Sequence, residues 1–218
     1  MVTLAEDLFL LAHDDETGRK LIAGTSLDLG LGGALLLDLA LRDRVTLVDS
    51  QVALVDRTPV GEPLLDAALT AVAGDERRHE PEHWVRHLAR GVRSAVQQRL
   101  ASAGVLRVED HKVLGVLPIH HARLADPGIE RRLVHDLYDA VVLGAAASRE
   151  TAALASLALA VELERHLFPR SDRRAVQRRM GEIAEGAWVG AAVHHAIDAV
   201  NAALGIAAVP ATVSELTD

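Results

Sequence analysis

Residues 26–41 read Ser-Leu-Asp-Leu-Gly-Leu-Gly-Gly-Ala-Leu-Leu-Leu-Asp-Leu-Ala-Leu. Ser26 or Asp28 offers a helix start, and the leucines that follow cover almost every face of the helix. A helix that is apolar nearly all round has to lie at the centre of other helices. Gly30, Gly32 and Gly33 weaken its first turns, so their expected purpose is close packing or a bend. The longest apolar run, residues 29–41, contains those glycines and Asp38. It is shorter than the ~20 residues that a bilayer span requires.

Amphipathic segments flank this centre on both sides. Thr3-Leu4-Ala5-Glu6 is a capping-box pattern, and Leu4, Leu8 and Leu11 follow at helical spacing. Residues 44–48 and 51–55 alternate around Asp49-Ser50 and predict a β-hairpin. Further helices are expected over 64–72, from Pro81 to about 89, from Asp126-Pro127 to about 143, from Ser148 to Phe168, over 171–184 and over 188–204. A second hairpin is expected from residues 105–108 and 113–117, turning at 109–112. No linker or long repeat divides the chain. The reading is one mainly α domain over 1–209 with two small hairpins, and a frayed tail over 210–218.

Composition narrows the function. Half of the 218 residues are apolar, but Phe9, Trp84, Tyr138, Phe168 and Trp188 are the whole aromatic complement. The core is therefore Leu, Val and Ala, which favours helix over sheet. Without cysteine, disulfides and thiolate metal sites are excluded. Arginine far outnumbers lysine (Lys20 and Lys112), a usage that points to a GC-rich bacterial gene. Acidic Glu6 and Asp7 stand where a signal peptide carries basic residues, so a cytoplasmic protein is expected. A net charge of −8 argues against generic attraction to nucleic acid or membranes. Any anion site must be local.

Residues 90–106 offer one. Val92, Val96 and Leu100 form a buried stripe, while Arg90 and Arg93, three apart, share another face. Gly104 suits a left-handed C-terminal cap leading into a strand. Two guanidiniums held side by side, with no carboxylate close in sequence, suit a phosphate. A solvated helix face with rim arginines is the plainer alternative. A second arginine cluster, Arg165 to Arg179, is flanked by Glu162, Glu164, Asp172, Glu182 and Glu185, so internal ion pairing is expected there.

No catalytic constellation is present. His79-Glu80-Pro81-Glu82-His83 matches H-E-x-x-H by letter, a motif that needs both histidines one turn apart inside a helix. Pro81 removes a helical hydrogen bond in its middle, leaving His79 ahead of the helix. No metal is expected at His79 and His83, and no cofactor anywhere. His120-His121 and His194-His195 are neighbours whose rings point apart.

Residues 4–11, 30–44 (GLGGALLLDLALRDR), 59–69 (PVGEPLLDAAL), 90–106 and the helix over 154–168 ending in Phe-Pro give the chain its resemblance to the Golgi phosphoprotein family, which has animal, yeast and bacterial members. The resemblance spans nearly the whole chain. It implies a central hydrophobic helix bundle ringed by amphipathic helices, a protruding hairpin, and no enzymatic activity. It also implies binding of phosphatidylinositol 4-phosphate in a shallow basic pocket of a peripheral membrane adaptor. The family's two pocket arginines, three apart before G-V-L, fall on Arg90 and Arg93. Its pocket aromatic falls near Ala23 and its third basic residue on Gly32, so neither is kept. Arg19 and Lys20 lie close enough in sequence to substitute. The expected partners are therefore an anionic phospholipid surface, bound weakly on the inner face of the membrane, and a second copy of the chain. Val113, Leu114, Val116 and Leu117 are the expected oligomerisation hairpin.

Two other readings stand beside this one. An arginine-bearing helix followed by strand, turn and strand also resembles a winged-helix DNA-binding regulator. The −8 charge and the acidic tip Glu109-Asp110 oppose it, and no nucleic-acid partner is expected. A self-associating scaffold without a lipid site is the third.

Overall fold

The computed structural model describes residues 3–14, 17–111, 119–184 and 202–203. Helix α1 (Leu4–Leu11) begins with the cap written in its sequence. Thr3 Oγ1 accepts from the Glu6 N–H at 3.1 Å, and the Glu6 carboxylate accepts from the Thr3 N–H at 2.9 Å. Each satisfies an amide that the helix start leaves without a partner.

Helix α2 (Gly24–Leu41) is the centre of the molecule, buried along almost its entire length from Leu27 onward. Around it pack α1, α3 (Pro63–Gly74), α4 (Pro81–Leu88), α5 (Val92–Ser102) and α7 (Arg149–Ala160). It starts earlier than Ser26 and stays helical without interruption through its glycines. A Cβ at Gly32 would lie 2.5 Å from the Val85 carbonyl oxygen and 2.8 Å from the Ala89 nitrogen. Gly32 thus lets the α4 backbone rest directly on α2. At 18 residues and mean hydropathy 1.3, α2 has the length and apolarity to cross a membrane. Here those helices occupy its faces instead.

Strands β1 (Val45–Val48) and β2 (Gln51–Leu54) form the expected antiparallel hairpin, with Asp49 and Ser50 at φ 51° and 62°. Two left-handed residues in a row make the tight turn that matches strand twist. The second hairpin differs from expectation. Strand β3 (Leu106–His111) pairs with β4 (Ile119–Leu124), in a register running from Leu106↔Leu124 to His111↔Ile119. The strand continues through Glu109 and Asp110, which turn chemistry alone places in the loop. Backbone pairing with residues ten and more positions later overrides that local preference. Val113, Leu114, Val116 and Leu117 lie outside the described residues, as do the tail and most of 188–204.

Asp126 caps α6 (Pro127–Val141) by accepting from the Gly128 N–H at 2.8 Å. Ser148 caps α7 through the Thr151 N–H at 3.0 Å. α7 does not run on to Phe168. Glu162 turns left-handed at φ 59°, its N–H bonds Leu159 O at 3.1 Å, and the Leu163 N–H bonds Ala158 O at 2.8 Å. This is a Schellman stop made without glycine. Short α8 (Glu164–Leu167) and α9 (Arg173–Ala184) follow, and α9 lies along α7.

One guanidinium of α5 ties it to α1 and to the start of α3. Arg99 Nε donates to Glu62 Oε1 at 3.3 Å, and Arg99 Nη1 lies 3.9 Å from Glu6 Oε1. The other Glu62 oxygen accepts from the Leu64 and Leu65 amides, capping α3. Asp38 receives the Leu4 N–H at 2.7 Å and Arg42 Nη2 at 3.1 Å. Buried Glu6, Asp38 and Glu62 are each engaged, as buried carboxylates must be. The molecule is mainly α, as its sequence indicates.

Candidate functional site

The arginine pair of residues 90–93 does not lie on one helix. Gly91, at φ 73°, separates α4 from α5. Arg90 stands exposed in the connecting turn, and Arg93 sits in the first turn of α5. The spacing of three is therefore not a shared helical face. Arg86, one turn earlier, is paired by Glu82 at 2.7 Å.

Arg93 reaches across to the start of α2. Its Nη2 donates to Asp28 Oδ2 at 2.8 Å, a carboxylate 65 residues away in sequence. A Cβ at Gly24 would lie 2.9 Å from Arg93 Nη1 and 3.1 Å from Lys20 Nζ. Two cations thus close over the first residue of α2, where a side chain would displace them. Ala23 is the N-cap, with no side-chain hydrogen bond, and the first turn contains no acid. The amides there and the positive end of an 18-residue dipole face the same cations. Burial pushes the His13 imidazole below its usual pKa, and Lys20 and Arg93 push it further down. Its Nδ1 lies 2.7 Å from the Phe9 carbonyl oxygen.

The same helix end also borders a depression of about 330 Å³. Leu21, Ile22, Ala23 and Ser26 line it on one side, and Val161, Glu162, Arg165 and His166 on the other. Arg165 is ion-paired with Glu162. Arg173 approaches Glu164 at 3.8 Å and Arg179 meets Glu182 at 3.3 Å, so internal pairing holds for these members of the second arginine cluster.

Of the residues expected to bind a headgroup, Lys20 and Arg93 are brought together at α2. Arg19 is exposed beside Lys20, and Arg90 is exposed at the end of α4. Ala23 is exposed at the helix start and borders the depression. Gly32 faces the α4 backbone instead. Asp28 and Gly24 were invisible as site residues, because nothing near position 93 names a partner 65 residues back.

His79 and His83 come together by a route other than H-E-x-x-H. Pro81 opens α4, so His79 precedes the helix and His83 lies in its first turn. The two rings nevertheless stack, centroids 3.8 Å apart, and His79 Nε2 lies 2.9 Å from Asp75 Oδ2. The Arg77 N–H and His79 hold the Asp75 carboxyl below its usual range. Burial and the neighbouring His79 and His87 push the His83 imidazole down. The signal available in sequence was the ladder Asp75, His79, His83, His87, one donor every four residues.

Over residues 4–200 the chain matches the family described as Golgi phosphoprotein 3 (GPP34). The chain belongs to this family. Over 131 residues it is 30% identical to vacuolar protein sorting-associated protein 74 of Eremothecium gossypii, an alignment covering 50% of this chain and 40% of that one. It thus spans less than half of that relative's length. Family membership agrees with the mainly α architecture around α2.

Proposed function

We propose that this Golgi phosphoprotein family member is a non-enzymatic peripheral adaptor. It binds an anionic phospholipid headgroup at the N-terminus of α2, phosphatidylinositol 4-phosphate by the family's precedent. The observation that carries this reading is the convergence of Lys20 Nζ and Arg93 Nη1 over Gly24, at a helix whose N-cap makes no side-chain bond and whose first turn carries no acid. A phosphate there meets two cations and the open amides together. Arg90 and Arg19 extend the basic rim. Half-buried Leu21 and Ile22 line the adjoining depression.

The binding is weak. A basic residue near an anionic surface contributes about 1 kcal/mol. Asp28 offsets part of the Arg93 charge, and the net −8 opposes approach. The protein accordingly works at the inner face of the membrane, with self-association adding avidity.

Co-sedimentation tests this reading, with phosphatidylcholine vesicles alone, with added phosphatidylinositol 4-phosphate, and with added phosphatidylglycerol, each at two salt concentrations. Binding to the anionic vesicles is expected, weakening with salt and lost in Lys20→Ala with Arg93→Ala. If the wild type ignores every vesicle at low salt, the lipid reading fails and the scaffold reading replaces it. Preferential retention by duplex DNA would instead support the DNA-binding regulator.

A further inference from the structure

The ladder Asp75–His79–His83–His87 runs from the end of α3 onto α4, and the headgroup reading makes no use of it. We propose that Asp75, His79 and His83 form a site for a borderline divalent transition-metal ion, of which Zn²⁺ is the representative. The donor atoms of these three residues all lie within 4.8 Å of one another. Two ligands on one tetrahedral ion sit about 3.4 Å apart, given bonds of about 2.0–2.1 Å. The widest pair therefore has to close by no more than about 1.4 Å, within reach of imidazole rotation.

Three features favour a metal over a solvated polar cluster. The first is the donor set: two imidazoles with one carboxylate select Zn²⁺, Co²⁺, Ni²⁺ or Cu²⁺, whereas Mg²⁺ and Ca²⁺ prefer oxygen alone. The second is support. The Val52 N–H of β2 bonds the His79 carbonyl at 2.8 Å, and the His83 N–H bonds Glu80 O at 3.1 Å, so both ligand backbones are fixed. Buried Trp84 places its ring edge-on to His79, His83 and His87 at 5.8, 5.4 and 5.7 Å. The third is access. The His rings face an open depression of about 420 Å³, lined also by Gln51, Arg78 and Arg86, which leaves room for a water on the fourth coordination position.

Pro81 breaks the helical H-E-x-x-H arrangement, and the same break creates this site. By starting α4 after Glu80, it lets the preceding loop fold back so that His79 stacks on His83 and Asp75 reaches His79. Glu80 is only the N-cap of α4 and makes no side-chain hydrogen bond there. The bound ion would clip the loop after α3 onto α4 and, through Val52, onto the β1–β2 hairpin.

The test uses the untagged full chain, stripped with chelator and titrated with Zn²⁺ in a calorimeter. One ion per chain is expected, with Kd on the order of 1–10 µM. His79→Gln with His83→Gln should weaken binding at least tenfold, and Asp75→Asn should weaken it about tenfold. His135→Ala should leave it unchanged. That residue pairs with Asp139 at 3.7 Å on the solvent face of α6, an ordinary Asp/His contact. A second readout does not depend on these variants folding. In a Trp188→Phe background, Cu²⁺ should quench Trp84 fluorescence with a one-to-one endpoint, since the indole borders the ligand rings. No saturable binding below about 1 mM, binding unaffected by the double substitution, or Trp84 emission indifferent to Cu²⁺ would each overturn the proposal.

Discussion

Arg93 Nη2 donates to Asp28 Oδ2 at 2.8 Å, so the cation proposed to receive a phosphate is held by a carboxylate of the helix whose end it covers. Both side chains are about one-third exposed, 34% and 28%. Such a pair contributes less than about 1 kcal/mol to stability. Its larger effect is on charge and aim: Asp28 positions the guanidinium above Gly24 and competes with any incoming anion. Asp28→Asn is therefore expected to increase the fraction bound to anionic vesicles several-fold at low salt. Arg93→Ala should abolish binding. Both variants should melt within a few degrees of wild type, and co-sedimentation alongside thermal denaturation checks the pair of outcomes.

Gly32 offers a sharper test of the packing. A methyl group there meets the Val85 carbonyl oxygen at 2.5 Å and the Ala89 nitrogen at 2.8 Å, and backbone atoms do not swing aside. Gly32→Ala should destabilise by about 1–3 kcal/mol through overpacking, despite the better helix propensity of alanine. Calorimetric melting is the measurement, and an unchanged or raised midpoint would show that α4 slides freely on α2. For the same reason, a basic residue at position 32 would force α4 away.

What could be read from the chain was what neighbouring residues determine together. The Thr3–Glu6 cap, the Asp49-Ser50 turn, the Asp126 and Ser148 caps and the burial of α2 all follow from patterns a few residues long. What escaped was set by distant partners. The stop of α7 at Glu162 uses no glycine and so gives no local warning. The pairing of β3 with residues 119–124 depends on a register that turn propensity at Glu109-Asp110 opposes. The site was half legible: arginines at 90 and 93 stood out, but the turn at Gly91 sets them on separate elements. Asp28 and the approach of Lys20 to Gly24 appear only once α2 and α5 are packed together.

Arg99 illustrates a charge whose role is structural. It faces Glu62 at 3.3 Å and Glu6 at 3.9 Å, and both acids are almost wholly buried. Removing the guanidinium leaves two buried carboxylates without their counter-ion, a more damaging state than losing the pair outright. Arg99→Ala should lower stability by about 3 kcal/mol. Changing Glu62 to Gln in the same molecule should recover part of that loss, because the amide needs no counter-charge. Denaturant midpoints for the two single variants and the double variant supply the cycle; additive losses would mean that Arg99 and Glu62 do not interact.

Asp7, on the first turn of α1, behaves in the opposite sense. Burial first, then Glu6 and Asp38, raise its pKa from 3.8 to about 7. Because the folded-state value lies above the unfolded one, the folded protein holds this proton more tightly. The associated stability is complete below about pH 4 and is lost as pH rises through about 7. Asparagine mimics the protonated acid without titrating. Asp7→Asn should therefore match wild type near pH 4, with a difference in its favour that opens between pH 4 and 7 and levels off above. At pH 8 the gain should be about 1–2 kcal/mol, since part of the side chain meets solvent and screening reduces the effect. Chemical denaturation of both proteins across that pH range measures it. A difference that does not vary with pH would place the Asp7 pKa near its ordinary value and remove electrostatic repulsion among Glu6, Asp7 and Asp38 as a feature of the fold.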